Sequence, residues 1–231
     1  MPTTLPEPVD PDVIAGILSD RTRRSIYLHL RQRMSAATVN EIAERFAIHR
    51  NAAKFHLDKL LEAGLLRAEF KRVNGRKGPG AGRPSKLYTA TEEEISFSVP
   101  ERHYDLLATL LLRALTSGDD IEQVGRAFGR ELALAAPGTE EPVAERVELV
   151  LSRLGFDPAV HAGPDGHLRI TTQNCPFGRV ALEAPNQEVC RLDRSIVQGL
   201  LEGFGMGPVR CEEHSSLAMG AAVCVREVAA R

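Results

Sequence analysis

Four cysteines are the residues of this 231-residue chain whose type and spacing could do chemistry. They are Cys175, Cys190, Cys211 and Cys224, with 14, 20 and 12 residues between successive members. None forms the closely spaced pair that a zinc ribbon or zinc finger takes from one turn. An iron-sulfur cluster can take thiolates from separate elements, and Pro176 follows Cys175 as proline follows a ligand in some cluster sites. The cysteines therefore indicate metal ligands, redox-active thiols or small apolar core residues.

A cysteine nucleophile is a further chemistry that the same residues allow, with Cys175 or Cys190 as the attacking group. Such an enzyme would need a histidine base beside the thiol. Candidate bases occur in the same part of the chain, namely His161, His167 and His214. Because nothing in the spacing pairs any of them with a cysteine, the enzyme hypothesis ranks last, and we expect neither a catalytic residue nor a small-molecule substrate.

The segments that must position the cysteines alternate between helical and strand periodicity. The pattern predicts helices at about 142–154 and 192–204, and strands at 159–161, 168–172, 209–211 and 222–228. All four cysteines fall in this α+β pattern. We therefore expect residues 138–231 to form a mixed α/β sensor domain.

A helix-turn-helix pattern lies well before the cysteines. Thr38 stands three residues before Glu41, which predicts a capping box at the start of a short helix. A second helix is expected from about Arg50 to Ala63, with Gly64 ending it. Strand-like residues 65–73 and 86–90 flank a loop of glycine, proline and basic residues, as in a wing. The order of elements predicts a winged helix-turn-helix domain at residues 11–91.

The second helix of such a domain enters the major groove of DNA. Side chains that can meet base edges there, at the start of the helix and on its polar face, are His49, Arg50, Asn51, Lys54 and Phe55. Basic residues of the wing that can contact phosphates are Arg72, Arg76, Lys77, Arg83 and Lys86. The alternatives are that the basic run is a solvated linker and that Phe55 packs partly into the core.

Charge is distributed unevenly along the chain. Residues 21–88 contain 16 Lys and Arg against 5 Asp and Glu, a net charge of +11, whereas the remainder contains 13 against 26, a net charge of −13. The basic part suits double-stranded DNA as the partner. The first twelve residues lack the features of an export signal, and no segment has the length and apolarity of a membrane span, so we expect a cytoplasmic protein without a membrane partner.

Residues 100–137 are expected to be a helical linker and dimerisation region. Apolar residues recur over more than one face of the segment from 101 to 136, and Gly118 is a candidate break. Helices that follow a wing often pair with a second subunit. The prediction for the whole chain is an α+β homodimer with an N-terminal winged helix-turn-helix, central dimerisation helices and a C-terminal mixed α/β sensor domain.

Three strings of the sequence resemble the iron-sulfur-dependent repressors of the Suf cluster-assembly operon, which are SufR-like members of the ArsR-related winged-helix family. The strings are RNAAKFHLDKLLEAGLL from residue 50, GPGAGRPSKLYTAT in the wing, and the NCPF, VC, GLLEG and CV pieces around the cysteines. The resemblance covers nearly the whole chain after residue 10. Its most specific pieces are residues 82–88 and 174–177.

This resemblance implies that Cys175, Cys190 and Cys224 are thiolate ligands of an iron-sulfur cluster. The expected type is a 4Fe-4S cluster. The resemblance also implies a transcriptional repressor whose affinity for its operator depends on the cluster. The fourth ligand stays open between Cys211, His214 and another group, because the stretch between Cys190 and Cys224 is longer than in the family. The alternative is a winged-helix regulator that senses metal ions or oxidants with free thiols.

Overall fold

The computed structural model describes residues 11–33, 35–71, 84–92, 98–136, 140–163, 166–184 and 187–230. Contacts divide the chain into two compact units, one of residues 9–96 and one that contains residues 97–231. Both units combine helices with an antiparallel sheet, so the predicted α+β class is confirmed. Among the described helices, none combines the length and apolarity needed to cross a membrane.

The N-terminal unit contains four helices and a three-stranded sheet among its described residues. Its elements are α1 (Pro11–Ser19), α2 (Arg21–Arg33), β1 (Ala37–Thr38), α3 (Val39–Arg45), α4 (Arg50–Glu62), β2 (Leu66–Lys71) and β3 (Ser85–Ala90). The strand order is β1-β3-β2, and both pairings are antiparallel. Helices α3 and α4 therefore form the predicted helix-turn-helix, and β2 and β3 form the two strands of the wing.

Local sequence explains where these helices begin and end. Thr38 and Glu41 form the predicted capping box, with both reciprocal hydrogen bonds present. Gly64 has a φ of 73° after α4, a backbone conformation that glycine adopts without strain. The N–H of Leu65 then donates to the carbonyl of Leu60 at 3.0 Å, which satisfies a carbonyl at the helix end.

The C-terminal unit surrounds a four-stranded sheet. Its elements are α5 (Tyr104–Ser117), α6 (Ile121–Ala135), α7 (Val143–Arg153), β4 (Pro158–Ala162), β5 (Leu168–Thr172), α8 (Gly178–Glu183), α9 (Glu188–Leu201), a π-helical turn (Glu202–Met206), β6 (Val209–Ser215), a 3-10 turn (Leu217–Met219) and β7 (Cys224–Ala230). The strand order is β4-β5-β7-β6, with every neighbouring pair antiparallel. Helix α9 is buried along most of its length at the centre of this unit.

Two features of this unit differ from the sequence-based expectation. Helix α9 begins at Glu188 rather than near Leu192, so Cys190 lies in its first turn. Helix α8 was not predicted, because it is only six residues long and so shows no extended helical periodicity in the sequence. The break at Gly118 is confirmed, since it ends α5 with a φ of 79°.

Helices α5 and α6, expected as a separate region at 100–137, share one hydrophobic core with residues after 138. The closest approach is between α6 and α9, where glycines allow contact between backbones. A Cβ atom added at Gly129 would lie 2.1 Å from the carbonyl oxygen of Ile196, and one at Gly199 would lie 2.1 Å from that of Arg126. Helix α9 is thereby held rigidly against α6.

Candidate cysteine pocket and nucleic-acid interface

Three of the four cysteines line one pocket of about 340 Å³ in the C-terminal unit. Cys175 lies in the loop after β5, Cys190 on α9 and Cys224 at the start of β7. Strand register explains part of this convergence, because Thr172 at the end of β5 pairs with Cys224. We call the space lined by Cys175, Cys190 and Cys224 the cysteine pocket.

Backbone N–H groups donate to the sulfur of Cys224 and to the carbonyl of Cys175. The N–H of Leu217 donates to Cys224 Sγ at 3.2 Å, and the N–H of Gly178 donates to the carbonyl oxygen of Cys175 at 2.9 Å. Sulfur accepts hydrogen bonds weakly as a thiol and better as a thiolate. Cys190 Sγ lies 4.0 Å from the hydroxyl oxygen of buried Ser216. Loops and turns therefore hold polar groups around thiols that come from three separate elements.

Burial favours the protonated form of Cys175 and Cys190. Desolvation raises the pKa of Cys175 to about 12, and the negative charge of Asp193 adds to the rise. Desolvation also raises the pKa of Cys190, although the Ser216 hydroxyl opposes it. A thiol with a raised pKa is a poor nucleophile, since the thiolate is the reactive form.

Cys211 does not line the cysteine pocket. It lies on β6 opposite Val228, four residues along β7 from Cys224, which is about 13 Å at the usual rise of about 3.3 Å per residue. Its side chain packs in the hydrophobic core, and desolvation raises its pKa to about 11. In this structure Cys211 is a core residue, so its assignment as a ligand has no geometric support.

The histidines considered as ligand or base also lie elsewhere. His214 points to the exposed side of β6, where its Nε2 lies 3.2 Å from a Glu227 carboxylate oxygen. The residues that line the described pocket include neither His161 nor His167. Among the described residues that line the cysteine pocket, none of these three histidines is present.

A buried ion pair lies on the floor of the cysteine pocket. Arg226 Nη1 donates to Asp193 Oδ1 at 3.2 Å, a second short contact joins Nη2 to Oδ2, and both side chains are at most 5 % exposed. Arg226 lines the pocket, and its Nε has no hydrogen-bond partner among the described residues. A compensated pair of buried charges therefore stands beside three thiols.

No group of three or more His, Cys, Asp or Glu side chains within the described ranges is arranged to hold a single metal ion. A mononuclear zinc site needs all its ligands within about 2.3 Å of one point. In an iron-sulfur cluster the thiolates bind different iron atoms, so they are spread around the cluster. The three thiols line one pocket and form no mononuclear metal site among the described residues.

Helix α4 presents the predicted base-reading residues to solvent. Arg50, Asn51 and Lys54 are exposed, and Phe55 is 56 % exposed, so it does not pack into the core. His49 caps the helix, with its Nδ1 accepting a hydrogen bond from the Asn51 N–H at 3.2 Å. The opposite face holds the helix on its support through buried Ala53, Leu57 and Leu60.

Asp58 joins this helix to the wing, a role that we did not predict. Its carboxylate accepts hydrogen bonds from Lys54 at 2.6 Å, Tyr88 at 2.9 Å and Lys86 at 3.2 Å. Although burial alone would raise its pKa, these donors lower the pKa of Asp58 to about 2. Lys54 and Lys86 are thus partly neutralised, and Lys86 positions β3 against α4. The sequence signal was the Lys54–Asp58 spacing of four residues.

The other predicted wing residues cannot be placed. Arg72, Arg76, Lys77 and Arg83 lie outside the described residues, so their contact with phosphates stays a prediction.

Two solved structures show limited similarity to the chain. One is a trafficking protein particle complex subunit 3 from Naegleria fowleri covalently bound to palmitic acid, with 16% identity, coverage of 54% of this chain and 90% of that chain, and a TM-score of 0.38. The other is an H-NOX protein from S. oneidensis in the Fe(II)NO ligation state, with 11% identity, coverage of 62% and 83%, and a TM-score of 0.37. TM-scores this low support no conclusion about function.

A comparison with curated proteins found no match. Residues 18–69 match a family described as a helix-turn-helix domain, and this range contains α3, α4 and most of β2. Together with the exposed face of α4, the match supports a DNA-binding transcriptional regulator of the winged-helix type.

Proposed function

We propose that this chain is a homodimeric transcriptional repressor that holds an iron-sulfur cluster through Cys175, Cys190 and Cys224. Its affinity for operator DNA depends on whether the cluster is present. The Suf cluster-assembly operon is the target that the sequence resemblance supports. When bound, the cluster would supply a redox-sensitive and iron-dependent link among the three elements that carry its thiolates.

The observation that carries this proposal is the shared pocket of three cysteines that are far apart in sequence. Fourteen residues lie between Cys175 and Cys190 and 33 lie between Cys190 and Cys224, yet all three cysteines line one space. The N–H group of Leu217, which donates to the sulfur of Cys224, suits a thiolate, and such hydrogen bonds tune cluster potentials. The Nε–H group of Arg226, a residue of the pocket wall, has no hydrogen-bond partner among the described residues, so it is available as a donor to an anionic group.

The donor set fits a cluster held by three protein thiolates. Cys211 and His214, the two candidates for a fourth protein ligand, lie in the core and on the exposed side of β6. We therefore propose that the fourth iron position takes a ligand from outside the set of cysteines and histidines.

Raised thiol pKa values weigh against the alternative of a free-thiol sensor. Sensor cysteines that react with oxidants have a low pKa and are accessible, whereas Cys190 and Cys224 are buried and Cys175 has a pKa raised to about 12. Metal binding can still deprotonate such thiols, because the bond to the metal replaces the proton.

A row of exposed leucines on α5 supports the homodimer. Leu111, Leu112 and Leu115 are 42 %, 60 % and 80 % exposed, and Ala108 extends the row by one turn. A contiguous exposed apolar row is typical of an interaction surface. Helix-turn-helix regulators bind two half-sites as dimers, which makes a second copy of this chain the expected partner.

The decisive experiment is anaerobic reconstitution with iron and sulfide, followed by absorption spectroscopy and analysis of iron and sulfide content. Serine variants of Cys175, Cys190 and Cys224 should each lose most of the bound iron, because a serine oxygen is a poor substitute for a soft thiolate. Cys211→Ala is the matched control, and it should retain the cluster.

DNA binding is then measured with a duplex that the reconstituted protein selects from a random-sequence library. The reconstituted parent and Cys211→Ala should bind this duplex more tightly than their cluster-free forms. The three pocket variants should bind as the cluster-free parent does. Equal operator affinity across the whole set, whatever the iron content, would contradict the proposal and favour cysteines that serve only as core residues.

A further inference from the structure

The first residues of the C-terminal unit lie against the cysteine pocket. Residues 98–103, which we call the connector, precede α5, and the chain reaches them directly from the N-terminal unit. Pro100 and Arg102 of the connector line the same pocket as the three cysteines. The segment that leaves the DNA-binding unit therefore forms part of the wall of the pocket.

Hydrogen bonds join the connector to the loop that carries Cys175. Arg102 Nη1 donates to the Cys175 carbonyl at 3.1 Å and also to Asn174 Oδ1 by a short contact. The Asn174 side-chain amide donates back to the Glu101 carbonyl at 3.1 Å. The His103 N–H donates to the Pro176 carbonyl at 2.9 Å.

These bonds hold the two sequence neighbours of Cys175, Asn174 and Pro176, and also the carbonyl group of Cys175 itself. Asn174 also donates to the carbonyl of Gly155 at 2.6 Å, which anchors it to the end of α7. A change in the backbone position of Cys175 must therefore move the connector or break these bonds. Because the partners of Arg102 are partly buried, an unpaired carbonyl or amide there would be costly.

We propose that Arg102 and Asn174 are positioning residues that couple the state of the cysteine pocket to the connector, and through it to the DNA-binding unit. The inference rests on the proposed function and adds the path by which cluster occupancy reaches the DNA. Occupation of the pocket fixes the Cys175 loop, the loop fixes residues 101–103, and the connector is thereby held at the end that leads into α5. By linkage, DNA binding must favour the same state of the pocket.

The test compares two arginines of the same pocket. Arg102→Leu removes the hydrogen bonds to the Cys175 loop. Arg179→Leu is the matched control, because Arg179 lines the pocket but its side chain is 85 % exposed and pairs with Glu183 at 3.5 Å rather than with the Cys175 loop. Both variants remove one positive charge from the pocket, and Arg102→Leu alone removes the connection.

Two quantities are measured for each protein. The first is the ratio of operator affinities with and without reconstitution, for the duplex selected as described above. The second is amide hydrogen exchange of residues 101–103 in the same two states. Iron and sulfide contents are measured in parallel, so that loss of the cluster is not mistaken for loss of coupling.

We expect a ratio of roughly 5- to 150-fold in the parent and in Arg179→Leu, and a ratio within about twofold of one in Arg102→Leu at equal iron content. Reconstitution should slow exchange at residues 101–103 in the first two proteins and leave it unchanged in the third. If Arg102→Leu does not fold, Arg102→Lys keeps the charge without the planar donor pair, and it should lower the ratio in the same direction.

Retention of the parent ratio by a folded Arg102 variant that holds its iron overturns the coupling. An equal loss in Arg179→Leu also overturns it, because charge rather than the connection would then be responsible. A parent whose operator affinity does not change on reconstitution contradicts the proposed function itself, and the coupling falls with it. If reconstitution changes the operator affinity of the parent and changes that of the Arg102 variant as well, the result contradicts the coupling alone.

Discussion

Asp58 shows how one side chain can set the shape of a DNA-binding surface. It lies on the recognition helix, and its three donors come from the same helix and from the wing strand β3. Two of those donors, Lys54 and Lys86, were predicted to contact DNA. Their pairing with Asp58 means that they orient the surface as well as contribute charge to it.

The depressed pKa of Asp58 predicts an acid-dependent stability. A folded-state pKa of about 2, against an ordinary value of 3.8, stabilises the folded form above pH 4, and this contribution is lost as the pH falls through 2. After solvent screening it should be of the order of 1 kcal/mol. Asp58→Asn should remove this acid-dependent part of the free energy of unfolding, measured by denaturant titration between pH 4 and pH 2.

Glu62→Gln is the control for this prediction. Glu62 pairs with Lys59 on the same helix, but its side chain is 62 % exposed. Its replacement should leave the pH dependence unchanged. If the free energy of unfolding depends on pH in the same way for the parent and for Asp58→Asn, the ionisation of Asp58 does not differ between the folded and unfolded states.

The buried pair of Asp193 and Arg226 predicts a strong asymmetry between single and double variants. Arg226→Met leaves an uncompensated buried carboxylate, so it should cost about 3 to 5 kcal/mol in the free energy of unfolding of the cluster-free protein. Asp193→Leu combined with Arg226→Met replaces the pair with apolar groups and should recover most of that loss. A double variant as unstable as the sum of the two single variants would contradict this account.

At the scale of elements, the contact between α6 and α9 places Cys190 relative to the rest of the C-terminal unit. The two helices touch through backbone atoms, because Gly129 and Gly199 have no side chain. Helix α9 carries both Cys190 and Asp193 into the pocket wall. The position of α9 therefore determines whether the three thiols share one space.

Gly129→Ala should separate these helices. The new Cβ would lie 2.1 Å from the Ile196 carbonyl oxygen, so backbone must move, at an expected cost of about 3 kcal/mol or more. Gly16→Ala is the matched control, because Gly16 lies in helix α1 with nothing within 4 Å of its added Cβ. That change should be neutral or stabilising by up to about 1 kcal/mol. Denaturation of the full chain measures the free energy of unfolding of both variants. Equal effects of the two substitutions would contradict the close contact between α6 and α9.

The exposed start of α4 predicts base-specific recognition. Arg50→Ala or Asn51→Ala should cost about 1 to 3 kcal/mol on the selected duplex and much less on random duplex, the scale of a lost bidentate base contact. Lys59→Ala is the control on the same helix, since Lys59 pairs with Glu62 at 2.7 Å. Equal losses on both duplexes would show that Arg50 and Asn51 touch phosphates only.

At the scale of the whole molecule, the chain consists of two compact units, each with its own hydrophobic core. The basic unit carries the helix-turn-helix, and the acidic remainder carries the cysteine pocket. Under the proposed function, signal and response are therefore located in different units of one chain. Communication between them needs the connector, a second subunit, or both.

The leucine row on α5 predicts that single charges disrupt the dimer. Leu112→Glu and Leu115→Glu should each shift the protein toward monomer in sedimentation velocity, because a carboxylate buried in an apolar interface is costly. Operator affinity should fall in parallel, since two half-sites are then bound independently. Leu28→Glu is the control, because Leu28 lies on α2 and is 51 % exposed. This change should leave the mass of the sedimenting species as in the parent. A monomeric parent would contradict the prediction outright.

Local sequence alone determined most of the secondary structure and the DNA-binding unit. The Thr38 capping box, the Gly64 stop and the break at Gly118 depend on neighbouring residues, so each could be predicted from a short stretch. The exposed face of α4 follows from helical periodicity in the same way. Helix α8 was missed because six residues carry too little periodicity.

Only the tertiary structure decided which cysteines belong together. In the sequence, Cys211 and Cys224 both stand in strand-like runs, and nothing local distinguishes a pocket residue from a core residue. The pairing of Cys211 with Val228, and of Thr172 with Cys224, depends on strand register between distant segments. Because register is set by the packing of the whole sheet, the three-cysteine pocket and its contact with the connector could be seen only in the folded chain.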